Sequence, residues 1–155
     1  MKSILFGLLF SMSFHGSMLE HKAAPKCSIK IWDYNYSMSY TMFYDITDDS
    51  LIIKKLNGVK GEKDTVLVKR LLTGDERRLF SDCFPFLNID SLKNEYNNPL
   101  VEDGDRKRIV IQLDNKASKT IDVANYYQRD LAILFNRVNR IVPPELKITY
   151  TSNNK

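Results

Sequence analysis

The chain reads as an α+β domain: an antiparallel sheet of about five to seven strands with two main helices packed on one face. Three observations predict it. Stretches of apolar–polar alternation recur along the chain, separated by short turn sequences. Two stretches, at 73–87 and 125–142, carry a helical apolar stripe behind a polar cap. The alternating stretches are joined by hairpin-type links, and hairpins make antiparallel pairs. A chain of 155 residues, 43% hydrophobic and 27% charged, suits one modest core.

The elements follow in order. Lys2, the apolar run 4–10 and the small residues Ser11, Ser13, Gly16 and Ser17 have the form of a signal peptide over residues 1–20. The run is too short to span a membrane, which takes about 20 residues. Cleavage is expected between Ser13 and Ala24, which makes the mature protein secreted or periplasmic and leaves a single domain at 27–151. Ala24-Pro25-Lys26 before Cys27 does not match a lipobox, so no lipid anchor is expected.

Residues 27–33 begin a strand with Ile29 and Ile31 on one face. Tyr36, Met38, Tyr40, Met42 and Tyr44 recur at period two, the inner face of a half-buried strand. The change of face between Ile31 and Tyr36 places a turn or bulge near 33–35. Turn residues at 47–50 lead to strands at 51–56 and 65–71, joined by a polar hairpin with Asn57-Gly58. Thr73 and Glu76 form a capping box, and Leu79, Phe80, Cys83 and Leu87 face one side of the helix that Pro85 ends. Residues 90–96 are expected to make a further helical turn, with Leu92 and Tyr96 on one side.

A polar turn at 102–105 opens the last unit. Strands at 108–113 and 119–123 flank the turn Asp114-Asn115-Lys116. Asn125 and Gln128 suggest a second capping box. Tyr127, Leu131, Leu134, Phe135, Val138, Ile141 and Val142 then form the stripe of a helix over 126–141. Pro143-Pro144 stops it, and 147–150 reads as a closing strand.

The residue inventory excludes several chemistries. The two histidines, His15 and His21, both precede the domain. Ser-His-Asp and Cys-His catalytic units and histidine zinc sites are therefore not expected within it. No phosphate-binding glycine motif occurs, and neither a cofactor nor a metal site is expected. Glu102, Asp103 and Asp105 around Gly104 are the carboxylate candidates for catalysis, although acids beside a glycine serve first as turn formers. The tyrosines Tyr34, Tyr36, Tyr40 and Tyr44 read as sheet core before stacking platform. Arg106-Lys107-Arg108 alternates between faces and reads as a solvated strand start.

The net charge of +4 is interspersed with acids, which argues against nucleic acid as a partner. Tyr126, Ile133 and Arg137 fall outside the apolar stripe of the last helix and are the candidate contacts for a protein partner. Cys27 and Cys83 either form a disulfide, worth on the order of 4 kcal/mol in the chain-entropy picture, or remain two buried thiols.

From residue 73 to residue 150 the order is a capped helix, Leu92 and Tyr96, the Asp103-Gly104 turn, a hairpin, an amphipathic helix and a proline stop. This resembles small secreted domains of unknown function common in Bacteroidota. The resemblance implies an antiparallel α+β domain and carries no catalytic residues. The reading that fits is an exported, non-catalytic protein-binding or inhibitory module of the immunity type. A carboxylate-based envelope hydrolase and a structural or assembly subunit are the alternatives.

Overall fold

A computed structural model of the protein describes residues 26–35, 39–58, 61–101, 104–114 and 116–151. The expected signal peptide at 1–20 lies outside them. Among the described residues no helix is long and apolar enough to cross a membrane.

Seven strands among the described residues form one sheet: β1 (Cys27–Asn35), β2 (Tyr40–Thr47), β3 (Ser50–Asn57), β4 (Thr65–Leu71), β5 (Glu95–Asn97), β6 (Asp105–Leu113) and β7 (Lys119–Ala124). Two α-helices among the described residues accompany them, α1 (Gly74–Ser81) and α2 (Arg129–Val138). The strand order is β4-β3-β2-β1-β6-β7-β5. Five of the neighbouring pairs are antiparallel, but β5 runs parallel to β7, so the sheet is mixed rather than purely antiparallel.

Register sorts the side chains by face. Ile29 lies beside Ile46 and Ile111, and Ile31 beside Tyr44 and Ile109. Leu51 and Ile53 extend this row on β3, and Ile121 extends it on β7. All of these are buried. They share one core cluster with Phe80, Cys83, Phe84, Leu131, Leu134, Phe135, Val138 and Ile148. The alternate residues, among them Lys30, Trp32, Phe43, Ile52 and Arg108, are exposed or half-buried. The period of two thus makes one buried face and one solvated face.

The first capping box forms as expected. Thr73 Oγ1 accepts from the Glu76 amide, and the Glu76 carboxylate accepts from the Thr73 amide. The second does not. Gln128, not Asn125, caps α2, its Oε1 accepting from the Leu131 amide at 2.7 Å. Asn125 instead adopts a φ of 52° and its amide donates to Asp105 O at 2.9 Å, tying the end of β7 to the start of β6. That left-handed backbone holds 125–128 out of the helix, which spans ten residues rather than the longer stretch expected.

Three further expectations are corrected. The helical turn over 90–96 is a 3-10 turn at Ile89–Ser91 followed by β5. The residues near 33–35 continue β1 without a turn. The closing stretch 147–150 is not a strand. Its Ile148 is held on both sides of its backbone by the Asn139 amide, which accepts from Ile148 N and donates to Ile148 O, each at 2.8 Å. A side-chain amide carries the same donor and acceptor as a backbone unit, so it substitutes for a neighbouring strand.

Candidate functional site

The alternation that buries Ile29 and Ile31 places Asp33 on the same face, and the alternation that buries Ile109 and Ile111 does the same for Lys107. Asp33 and Lys107 are register partners across β1 and β6. The apolar row therefore ends in an ion pair. Lys107 is 3% exposed. Its ammonium donates to Asp33 Oδ1 at 2.7 Å and to Asp105 Oδ1 at 2.5 Å. An ammonium this deep without partners would cost several kcal/mol. The carboxylates above it are progressively more open, 17% exposed for Asp33 and 48% for Asp105. Burial pushes the Asp33 carboxyl above its ordinary pKa, against the lowering effect of Lys107.

A cleft of about 220 Å³ lies over this cluster. Tyr40, Met42 and Tyr44 of β2 line it, facing Glu145, Leu146, Lys147 and Thr149. Tyr44 anchors the opposite wall by donating its hydroxyl to Leu146 O at 2.9 Å. Burial raises the pKa of that phenol. Lys55 Nζ sits 4.3 Å from the centre of the Tyr40 ring. On the other side of Lys107 and Asp105 is a smaller cavity of about 40 Å³ lined by Asn125, Tyr126, Tyr127 and Tyr150. Among the described residues, no group of His, Cys, Asp and Glu side chains could hold a metal ion.

The second region is the solvated sheet face. Trp32 and Phe43 are register partners with ring centroids 4.8 Å apart. Beside them a concavity of about 380 Å³ includes Tyr34, Glu95, Arg106, Arg108 and Asp122 in its lining. Arg108 Nε and Asp122 Oδ1 pair at 2.7 Å.

The residues singled out by the sequence scatter across these regions. Of the three acids, Glu102 and Asp103 lie outside the described residues, while Asp105 belongs to the buried cluster. Lys107 is not part of a solvated strand start: it points inward, whereas Arg106 and Arg108 are exposed. Ile133, 46% exposed, and Arg137 line one shallow groove with Asp82, Cys83, Leu87 and Asp130. Tyr126 does not join them. It stacks on Tyr96 at 5.5 Å, beside the small cavity at Asp105.

Cys27 and Cys83 are free thiols, both buried, so the disulfide alternative is not the one observed. Cys83 Sγ is turned onto its own chain, donating to Leu79 O at 3.4 Å. Burial pushes Cys27 up to about 12 and Cys83 to about 11.

Asp33 and Lys107 escaped the sequence reading as a pair. The signal was nonetheless there: each continues the period-two spacing of the isoleucines beside it. What was missing is the register, which places these two charges opposite each other. No protein-family model matches the chain, and no curated protein matches it.

Proposed function

We propose that this is an exported, non-catalytic module that binds, and thereby inhibits, a partner protein through the solvated face of its sheet. In this reading α1 and α2 both pack on the buried face and leave the other free. The observation that carries it is the half-buried Trp32–Phe43 pair in the middle of that face. Aromatic and arginine side chains dominate the energetics of protein interfaces. Around the pair stand Lys30, Lys54, Lys69, Arg106 and Arg108, against Asp45, Glu95 and Asp122. The excess of cations suits an acidic partner surface, which favours fast and selective association. The groove at Ile133 and Arg137 is a second, smaller contact surface in the same reading.

The test is comparative capture from cell-envelope extracts with tagged wild-type chain, a Trp32→Ala variant and a Lys30→Glu/Lys54→Glu variant. Circular dichroism confirms that each is folded. The expected result is one acidic protein recovered in stoichiometric amount by the wild type and lost by both variants. Recovery of the same proteins by all three, or of none by the wild type, refutes the reading.

A further inference from the structure

We propose that the open edge of β4 accepts an extended acidic segment of another protein as an added strand. β4 and β5 stand at the two ends of the strand order. β5 is three residues long and Pro99 follows it, so little of its edge can pair. β4 is seven residues long and contains no proline. Val66, Leu67 and Leu71 stand exposed on it, Leu71 by 70%. The Leu72 amide donates to Asp49 O at 2.8 Å, next to the register pair of Leu71 and Ser50. Bonding direction alternates along an antiparallel ladder, so Arg70 and Val68 also turn their backbone groups toward β3. Lys69 and Leu71 turn theirs away. Arg70 Nη1 takes up Leu71 O at 3.1 Å. Among the described residues no strand lies beyond β4 to take the two amides and the Lys69 carbonyl.

Charge decides the occupant. The register break between Ile53 and Lys54 falls opposite Leu67 and ends the regular alternation there. Over the remaining run, 69–71, two-fold pairing with a second copy of this chain sets Lys69 against Lys69 or Arg70 against Arg70. Like charges directly opposite each other are destabilising, and a lysine on an edge strand is a common guard against self-pairing. The same lysine favours a strand that brings a carboxylate. Lys54 stands on the same solvated face. Neither Lys54 nor Lys69 has an ion pair or a side-chain hydrogen bond among the described residues. Arg70 differs, because Glu76 already holds it at 2.7 Å. On the other face Val68, the register partner of Ile53, is a half-buried margin of the apolar core. The complementary segment therefore alternates acidic with apolar residues. Main-chain bonds to β4 give it affinity, and its alternate side chains give selectivity.

The probe is an acetylated and amidated hexapeptide of alternating valine and glutamate. One control replaces glutamate by lysine. The other is the acidic peptide N-methylated throughout, which keeps its charge and cannot donate from its backbone. Each is titrated into 15N-labelled protein and followed by amide shifts and hydrogen exchange. The acidic peptide is expected to give saturable shifts at 65–71 and to slow exchange of the Lys69 and Leu71 amides about tenfold. Neither control should slow that exchange. Lys69→Glu, at an exposed position, should weaken binding of the acidic peptide about fivefold and admit the lysine peptide, with the remaining spectrum in place. Absence of saturable shifts overturns the proposal. So do shifts without slowed exchange, equal effects of either control, or an affinity that Lys69→Glu leaves unchanged. A dimer of the free chain that protects the same two amides gives the edge to a second copy and also overturns it. No partner protein enters the experiment, so its outcome is independent of the capture test above.

Discussion

Gly104 shows how one residue sets the geometry of the charged cluster. A Cβ on it would stand 2.0 Å from Asn125 Oδ1 and 2.9 Å from Asn125 Cγ. Asn125 cannot simply withdraw. Its amide donates to Asp105 O, its Nδ2 donates to Val101 O at 3.0 Å, and its own φ is 52°. Gly104 is therefore needed for the close approach that seats Asp105 beside Lys107. Gly104→Ala is expected to cost about 1–3 kcal/mol, the usual range for forced overpacking, read by urea denaturation. Adding Asn125→Gly should recover part of the loss, because it removes the obstructing side chain and suits the positive φ. Strictly additive losses from the two changes would show that the contact is not the cause. The sequence marked Gly104 only as a turn residue. The asparagine it accommodates is 21 positions further along the chain, and no local pattern connects them.

At the scale of elements, the start of α1 was legible but not its end, for the helix stops at Ser81 and Pro85 lies in a separate 3-10 turn at Phe84–Phe86; α2 was legible only in part. The cap of α1 is written in four consecutive residues, and Glu76 closes it while also pairing with Arg70 at 2.7 Å. The Arg70 hydrogen bond is the main reason that the Glu76 carboxyl is held down at about 2, with the Thr73 amide adding to it. A carboxyl lowered by folding stabilises the fold above its unfolded value and loses that contribution as pH falls toward its folded value. Stability should therefore drop between about pH 4.5 and 2. Glu76→Gln should be less stable than wild type at pH 6, and the gap should narrow by pH 3, in paired urea titrations. A gap of constant size would remove Glu76 from the acid response. The start of α2 was misread because Asn125 and Gln128 are both competent caps, and the choice rests on the tertiary bond from Asn125 to Asp105. β5 was missed for a similar reason: three residues are too few to display a period, and only the free edge of β7 makes them a strand.

For the whole molecule, the two thiols report on global unfolding. Both are buried and both have raised pKa values, so the reactive thiolate is scarce in the folded protein. Iodoacetamide at pH 8 should leave the native chain unmodified and add two labels in denaturant without reductant. Failure to label in denaturant until a reductant is added would instead mean a disulfide in the isolated protein. By itself, the sequence determined which residues alternate, which stripe is apolar, where α1 is capped and that the domain holds no histidine. These are local properties, carried by spacing and residue type along a few turns of chain. Tertiary structure alone decided the register that sets Asp33 against Lys107, the parallel seat of β5, the hold of Asn139 on Ile148 and the cleft above the buried ammonium. Each depends on residues far apart in the chain meeting at hydrogen-bond distance. Many pairings satisfy the same alternation, and only the packed sheet selects one.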